Sequence, residues 1–316
     1  MSRNNTCVAL KVLNGFHTEL FERGRIWELE VLQRLSSPPL TPHCLQLMSH
    51  FTFPGKGTAG QHLCLVTNVL GGDVKSLFTK HGIFPLPLAK RIILHLLRGI
   101  AHAHSCGVLL ASDPPRRHVP EASHDGLVEV AVSQPLPIPT LQEAIQRTFV
   151  VADFGHAQLI DNHTENKISP SPLRPPEIII GGPWDAKVDI WTFGCLIFEL
   201  ITGRSLFKYE PDPKLNLDEP NHILYQMLCY TCEDIRAEQL SVSALADQFF
   251  DTNCNLKAMP TLMDYPFEVS IRSYKVIEEA DVLSTAALMR RCLRLDPTER
   301  ASAVELLSDP WFDGIE

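Results

Sequence analysis

The sequence predicts an α+β fold: a small antiparallel sheet within residues 1–68 and a mainly helical part over 69–316. Three observations carry this expectation. Residues 45–53 and 62–69 are strand-like runs separated by Pro54-Gly55-Lys56-Gly57, a turn signal. Residues 87–104 set Leu88, Ile92, Leu96, Ile100 and Ala103 near helical spacing, with Ile93 and Leu97 widening the stripe, as a helix laid on a core requires. Residues 189–202 are almost wholly apolar, the pattern of a buried helix.

The remaining elements fall between these anchors. Residues 7–13 alternate enough for a short strand, and 18–35 read as one helix. Residues 111–141, rich in Pro, Ser, Asp and His without periodicity, read as an insert loop, partly disordered. A strand is expected over 148–152, loop over 205–222 with its prolines, and helix again over 222–228 and 278–293. No internal repeat is visible.

Composition narrows the function classes. The chain has 316 residues, 45% hydrophobic and 21% charged, enough for a sizeable core. A net charge of −9 argues against a nucleic-acid surface and is compatible with a basic peptide partner, although the charge alone favours a solvated acidic surface. The first six residues have no apolar core, so no secretory signal is expected, and nine scattered cysteines read as reduced thiols of a cytoplasmic or nuclear protein. Cys229-x-x-Cys232 has no second pair at zinc spacing. The longest apolar stretch is too short for a bilayer. A monomer is expected.

The motifs carry more. Asp153-Phe154-Gly155 is followed by Pro175-Pro176-Glu177 and by Asp189-Ile190-Trp191-Thr192-Phe193-Gly194. Upstream stand Cys7-Val8-Ala9-Leu10-Lys11-Val12 and Glu28 in a helical pattern. Downstream stands Arg300 in Leu295-Asp296-Pro297-Thr298-Glu299-Arg300. This order resembles that of the eukaryotic protein kinases. Leu173-Arg174-Pro175-Pro176-Glu177, Gly181-Gly182-Pro183-Trp184, Phe198-Glu199-Leu200-Ile201-Thr202-Gly203 and Asp309-Pro310-Trp311-Phe312 are similar to the SR-protein kinases of the CMGC group and their fungal relatives. The resemblance runs from Cys7 to Phe312 and implies a two-lobed kinase-like fold, with a truncated antiparallel small-lobe sheet over 1–68, a mainly helical large lobe over 69–316 and a hinge at Asn68-Val69-Leu70-Gly71-Gly72.

It implies ATP and Mg²⁺ as cofactors, with serine/threonine phosphorylation of protein substrates, Arg/Ser-rich ones included. Lys11 would contact nucleotide phosphates, Glu28 would hold Lys11, and Asp153 would ligate Mg²⁺, a cation that prefers carboxylate oxygen. Thr67 and Leu70 would line the nucleotide pocket. Phe154, Arg174, Glu177, Asp189 and Arg300 would be structural, the two arginines through ion pairs, with Asp189 bracing the catalytic loop from below. Taken singly, Lys11 is an ordinary strand lysine and Glu28 a solvated helix carboxylate; together with Asp153 the family roles are preferred. His102 and His104 have no acid partner at a suggestive spacing and read as solvent-facing or packing residues. Ser169 and Ser171, each before a proline, lie in the activation segment.

Two expected parts are missing. Cys106-Gly107-Val108 runs directly into Leu109-Leu110, which resembles the strand after the catalytic loop, so the His-x-Asp-x-x-x-x-Asn block is absent and no general base is found. Asp113 is not followed by an Asn at the right interval. No glycine precedes Lys11, so the Gly-rich phosphate loop is lacking and the Lys11 strand is expected to keep an open edge. Three readings remain: an SR-kinase-like enzyme of which this sequence is an incomplete portion, a pseudokinase scaffold for basic or SR-type partners, and a fragment that does not fold stably.

Overall fold

The computed structural model describes residues 7–57, 60–110, 136–162, 168–211, 217–258 and 262–316. The small lobe holds β1 (Ala9–Val12), α1 (Gly15–Glu22), α2 (Glu28–Leu35), β2 (Leu47–Pro54) and β3 (Gln61–Thr67). The three strands form an antiparallel sheet in the order β1-β3-β2, so β1 lies at its edge among the described residues. Leu10 stands opposite Val66 and Val12 opposite Cys64; on the other side of β3, Phe51 stands opposite Cys64 and Phe53 opposite His62. Leu63 and Leu65 are buried with Leu29, Leu32 and Leu35 of α2, so one face of the sheet rests on a helix.

The single helix expected over 18–35 is two helices. Asn14 caps α1 by accepting from His17 N, and Gly24 ends it in the left-handed region (φ +65°) while Arg25 N donates to Leu20 O at 2.8 Å. The periodicity continued across this break because Trp27 and Phe21 both pack on the same core.

The large lobe follows with α3 (Val74–His81), α4 (Leu86–Ser105), β4 (Val108–Leu109), α5 (Leu141–Ala144), β5 (Gln158–Leu159), α6 (Pro176–Ile179), α7 (Lys187–Thr202), α8 (Glu219–Thr231), α9 (Ala237–Ser241), α10 (Ala246–Phe249), α11 (Phe267–Tyr274), α12 (Glu279–Cys292) and α13 (Ala303–Leu307). β4 pairs antiparallel with β5. Helices α4, α7 and α12 meet each other in the main core, where Trp191 stacks on Phe207 at 5.6 Å. Gly194 permits the close approach of α7 to the end of α12: a Cβ there would stand 2.7 Å from Leu293 Cγ and 2.8 Å from Cys292 Cβ.

Two further expectations need correction. No strand spans 148–152; only Val151 makes a parallel bridge, to Cys44. The loop expected over 205–222 already contains the first turn of α8: Asp218 caps it and Pro220 lies at its start, where a missing N–H costs nothing. Of the insert expected over 111–141, residues 111–135 lie outside the described residues, while α5 begins at Leu141 under a capping box from Thr140 and Glu143. Helices α3 and α11 were not anticipated; each is eight residues long, too short for periodicity to stand out. No helix among the described residues is long and apolar enough to cross a membrane.

Candidate functional site

Lys11, Glu28 and Asp153 are far apart in sequence and meet where the small lobe faces the large one. β1 carries Lys11 on the face of the sheet that looks toward α2. Glu28 is buried in the first turn of α2, where the helix dipole favours a carboxylate by about 0.3–1 kcal/mol. The Lys11 Nζ donates to Glu28 Oε1 at 2.6 Å and to Asp153 Oδ1 at 3.2 Å. Burial alone would lower the Lys11 pKa; the Glu28 carboxylate, then Asp153, outweigh it and hold the ammonium above the ordinary lysine value. Half of the Lys11 side chain (49%) and most of that of Asp153 (64%) remain exposed, so the cation and one carboxylate are open to a ligand.

The position of Asp153 is set by its neighbours in the chain. Val151 N donates to His43 O at 2.8 Å, and Leu45 N donates to Val151 O at 2.9 Å. Gly99 of α4 lies directly against this seam: a Cβ there would fall 2.5 Å from Val151 Cγ2 and 2.9 Å from His43 O. Asp153 itself has φ +67°, a conformation uncommon outside glycine and best tolerated by Asn and Asp. Phe154 is buried with Leu32, Ala103, Val108 and Leu159 and so is well seated.

Beside the seam, His43 and His95 lie with ring centroids 4.4 Å apart. Phe149 N donates to His95 Nδ1 at 3.2 Å, which requires an unprotonated nitrogen there. Burial, then the nearby His43, Arg91 and Arg98, push the His95 pKa down to about 4. Burial likewise lowers that of His43.

Thr67 is buried at the end of β3, opposite Ala9 on one side and Leu47 on the other, and its Oγ1 donates to Asn68 O at 3.3 Å. Leu70 is half-buried three residues on. Neither bonds to the Lys11–Glu28–Asp153 group.

The structural residues are bound more tightly than the sequence suggested. Arg300 makes a two-pronged pair with Glu177, Nη1 to Oε1 at 2.6 Å and Nη2 to Oε2 at 2.7 Å, both side chains buried. Its Nε donates to Arg294 O at 2.8 Å and its guanidinium lies 5.0 Å from the Trp191 ring centre. Arg174, expected in an ion pair, is instead held by carbonyls: Nε donates to Ile168 O and Nη2 to Ser169 O. Asp189 has a partner that spacing could not reveal. Its Oδ2 accepts from His104 Nε2 and from Leu110 N, both at 2.9 Å. The reading of His104 as a solvent-facing or packing residue is therefore corrected: it is an acid-paired residue, 85 positions from its acid. His102 Nε2 bonds Leu35 O at 3.0 Å and ties α4 to α2. Ser169 is buried and Ser171 half-buried; Asp113 lies outside the described residues.

The protein kinase domain model matches residues 142–312, just over half of the chain. Over 305 residues the chain is 27% identical to dual specificity protein kinase lkh1 of Schizosaccharomyces pombe, covering 92% of this chain and 41% of that protein. It is 33% identical over 163 residues to serine/threonine-protein kinase SKY1 of Saccharomyces cerevisiae, covering 51% of this chain and 21% of that protein. It is 24% identical over 350 residues to serine/threonine-protein kinase SRPK of Physarum polycephalum, covering 98% of this chain and 80% of that protein. The chain thus spans less than half the length of the first two of these relatives. The ordered motifs, the two-lobed α+β fold and these matches agree: the chain belongs to the protein kinase domain family, among relatives of the SR-kinase type.

Proposed function

We propose that this chain is a serine/threonine-kinase-type domain that keeps the nucleotide-phosphate end of phosphoryl transfer and lacks the proton-accepting end. The observation that carries the reading is the Lys11 ammonium set between Glu28 at 2.6 Å and Asp153 at 3.2 Å, with the side chains of Lys11 and Asp153 open to solvent. The donor set suits ATP with Mg²⁺. One exposed carboxylate is the ordinary protein share of a Mg²⁺ site, substrate phosphates and water supplying the rest. Asp153 would hold the metal, Lys11 the phosphates, and Glu28 would keep Lys11 extended; Thr67 and Leu70 would border the base. The bound metal supplies neutralisation of phosphate charge. On this reading residues 1–68 form the small lobe and 69–316 the large one.

The run Cys106-Gly107-Val108-Leu109-Leu110 contains no His-x-Asp, so on this reading the proton-accepting carboxylate of the family motif is lacking at that place. Such a base is worth about 10²–10⁴-fold, roughly 3–5 kcal/mol of barrier. Peptide phosphorylation is therefore weak or absent. The names of the relatives, serine/threonine-protein kinases, support a protein substrate; the net charge of −9 suits a basic, Arg/Ser-rich one, and the scattered cysteines suit cytoplasm or nucleus. A second reading, a pseudokinase scaffold, is favoured by one contrast: the Glu177–Arg300 and His104–Asp189 supports are in place although the run after α4 carries no His-x-Asp.

The test is a Mg-ATP titration of the chain and of Lys11→Met, beside phosphate transfer to an Arg/Ser-repeat peptide. Binding that Lys11→Met abolishes, with little or no transfer, is expected. Transfer at about 1–100 s⁻¹, typical of kinases, would overturn the impaired reading. Failure to bind Mg-ATP would leave only the scaffold.

A further inference from the structure

A cavity of about 490 Å³ opens between the start of α7, the end of α12 and α13. Five cations stand on its wall: Lys187, Arg290, Arg291, Arg294 and Arg300. Among the described residues only two carboxylates join them, Glu299 and Glu305, and both are already engaged. Glu299 accepts from Arg236 and Arg294; Glu305 accepts from the Ser302 N–H and hydroxyl, each at 2.7 Å. Ala301 is the one apolar side chain on the wall among the described residues. Pockets for apolar ligands are lined mainly by hydrophobic and aromatic groups, so this one suits a charged guest.

The cations retain binding capacity. Arg300 is committed to Glu177 and contributes only its field. Arg290 makes one bond, to Glu268, and Arg291 and Arg294 make two each, which leaves N–H donors on all three guanidinium groups unengaged. Their partners Glu268, Asp309 and Glu233 stand off the cavity wall. Lys187 is half-buried and has no carboxylate within ion-pair distance among the described residues. Its Nζ donates to Arg300 O, and Glu305 feels its charge without bonding to it. A half-buried ammonium held by a neutral carbonyl is poorly compensated. Charges of one sign gathered in a concave wall focus the field. They do so here on a chain of net charge −9, so anion capture at this place would be local and not an effect of overall charge.

We propose that this cavity binds a compact anion carrying two or more phosphate groups, free in solution or as the headgroup of a phosphoinositide lipid. Guanidinium forks match pairs of phosphate oxygens, and the Lys187 ammonium adds a point charge. Lys187 comes from α7 and Arg290 and Arg291 from α12, so a second phosphate group gains contacts that the first does not use. The cavity shares no residue with the Lys11–Glu28–Asp153 group.

Isothermal titration calorimetry of the full chain with inositol trisphosphate, without Mg²⁺ and at physiological salt, tests this. The expected result is binding at one site per chain. Thr298→Glu sets a carboxylate on an exposed part of the wall and should weaken that binding at least about tenfold. Arg290→Gln removes one half-exposed cation and should weaken it about fivefold, the size of one exposed charge pair. Lys11→Met should bind as the parent does. Vesicles of phosphatidylcholine doped with phosphatidylinositol bisphosphate separate the two sources. Co-sedimentation that Thr298→Glu abolishes assigns a lipid headgroup, and calorimetric binding without co-sedimentation assigns a free anion. No binding of either probe, binding that survives both cavity variants, or binding lost in Lys11→Met would overturn the proposal.

Discussion

Replacing Glu177 by alanine should destabilise the large lobe severely, although its bonds are to Arg300 and not to Lys11 or Asp153. The Arg300 guanidinium is fully buried and makes four bonds, two to Glu177 and one each to the carbonyls of Arg294 and Lys187. Removing Glu177 leaves a buried cation with carbonyl partners only. Breaking one side of such a pair costs about 3–5 kcal/mol. Unfolding entropy near the melting point is roughly 2.1 cal/mol/K per residue. For a cooperative unit of this size a loss of about 4 kcal/mol therefore lowers the melting temperature by roughly 6 °C. Scanning calorimetry on parent, Glu177→Ala and the double variant Glu177→Met/Arg300→Met measures it. The double variant should recover at least half of the loss, since no charge remains buried. A Glu177→Ala melting temperature within about 1 °C of the parent, or a double variant worse than the single, would refute the reasoning.

Further outcomes follow from other parts of the site. Lys11→Met should weaken Mg-ATP binding at least about tenfold, or ~1.4 kcal/mol, in a fluorescence titration at neutral pH, where the raised pKa keeps Lys11 charged; unchanged affinity would remove it from the phosphate site. His95 has a folded pKa of about 4, below its ordinary 6.5, so its contribution to stability is complete above pH 6.5 and is lost as the pH falls toward 4. Urea unfolding at several pH values should show up to about 3 kcal/mol lost across that window, and His95→Gln should flatten the slope; an unaltered slope would assign the loss elsewhere. Gly99→Ala forces a methyl group onto Val151 and the His43 carbonyl, an overpacking of about 1–3 kcal/mol that Val151→Ala should partly relieve in thermal melts. His104→Ala leaves Asp189 with one partner fewer and should cost about 1–3 kcal/mol in the same melts; no loss would make that bond dispensable.

What the sequence revealed depended on how far apart the cooperating residues lie and on whether a motif spans the gap. Lys11, Glu28 and Asp153 were readable because each sits in a recognisable phrase, and the structure brings them within bonding distance. The Glu177–Arg300 pair was readable for the same reason. The His104–Asp189 bond was not: nothing local to His104 distinguishes a paired imidazole from a packing one, and its acid arrives from another helix. The seam of His43, Leu45, Val151 and Gly99 was likewise hidden, because it consists of backbone bonds and a missing side chain rather than of reactive groups. Long helices such as α4 and α7 were visible from their periodicity, whereas α3 and α11 have too few turns to establish one. The split between α1 and α2 rested on one glycine whose positive φ no hydrophobic pattern records.

The left-handed backbone of Asp153 decides which substitution can report on its carboxylate. Alanine removes the charge and also pays for a conformation it dislikes, on the order of 1 kcal/mol, so a silent Asp153→Ala protein would confuse a lost ligand with a displaced backbone. Asparagine accepts that conformation readily, keeps the shape and loses only the charge. Asp153→Asn is thus the informative variant. Glycine at the same position serves as its complement, abolishing the side chain while relaxing the turn.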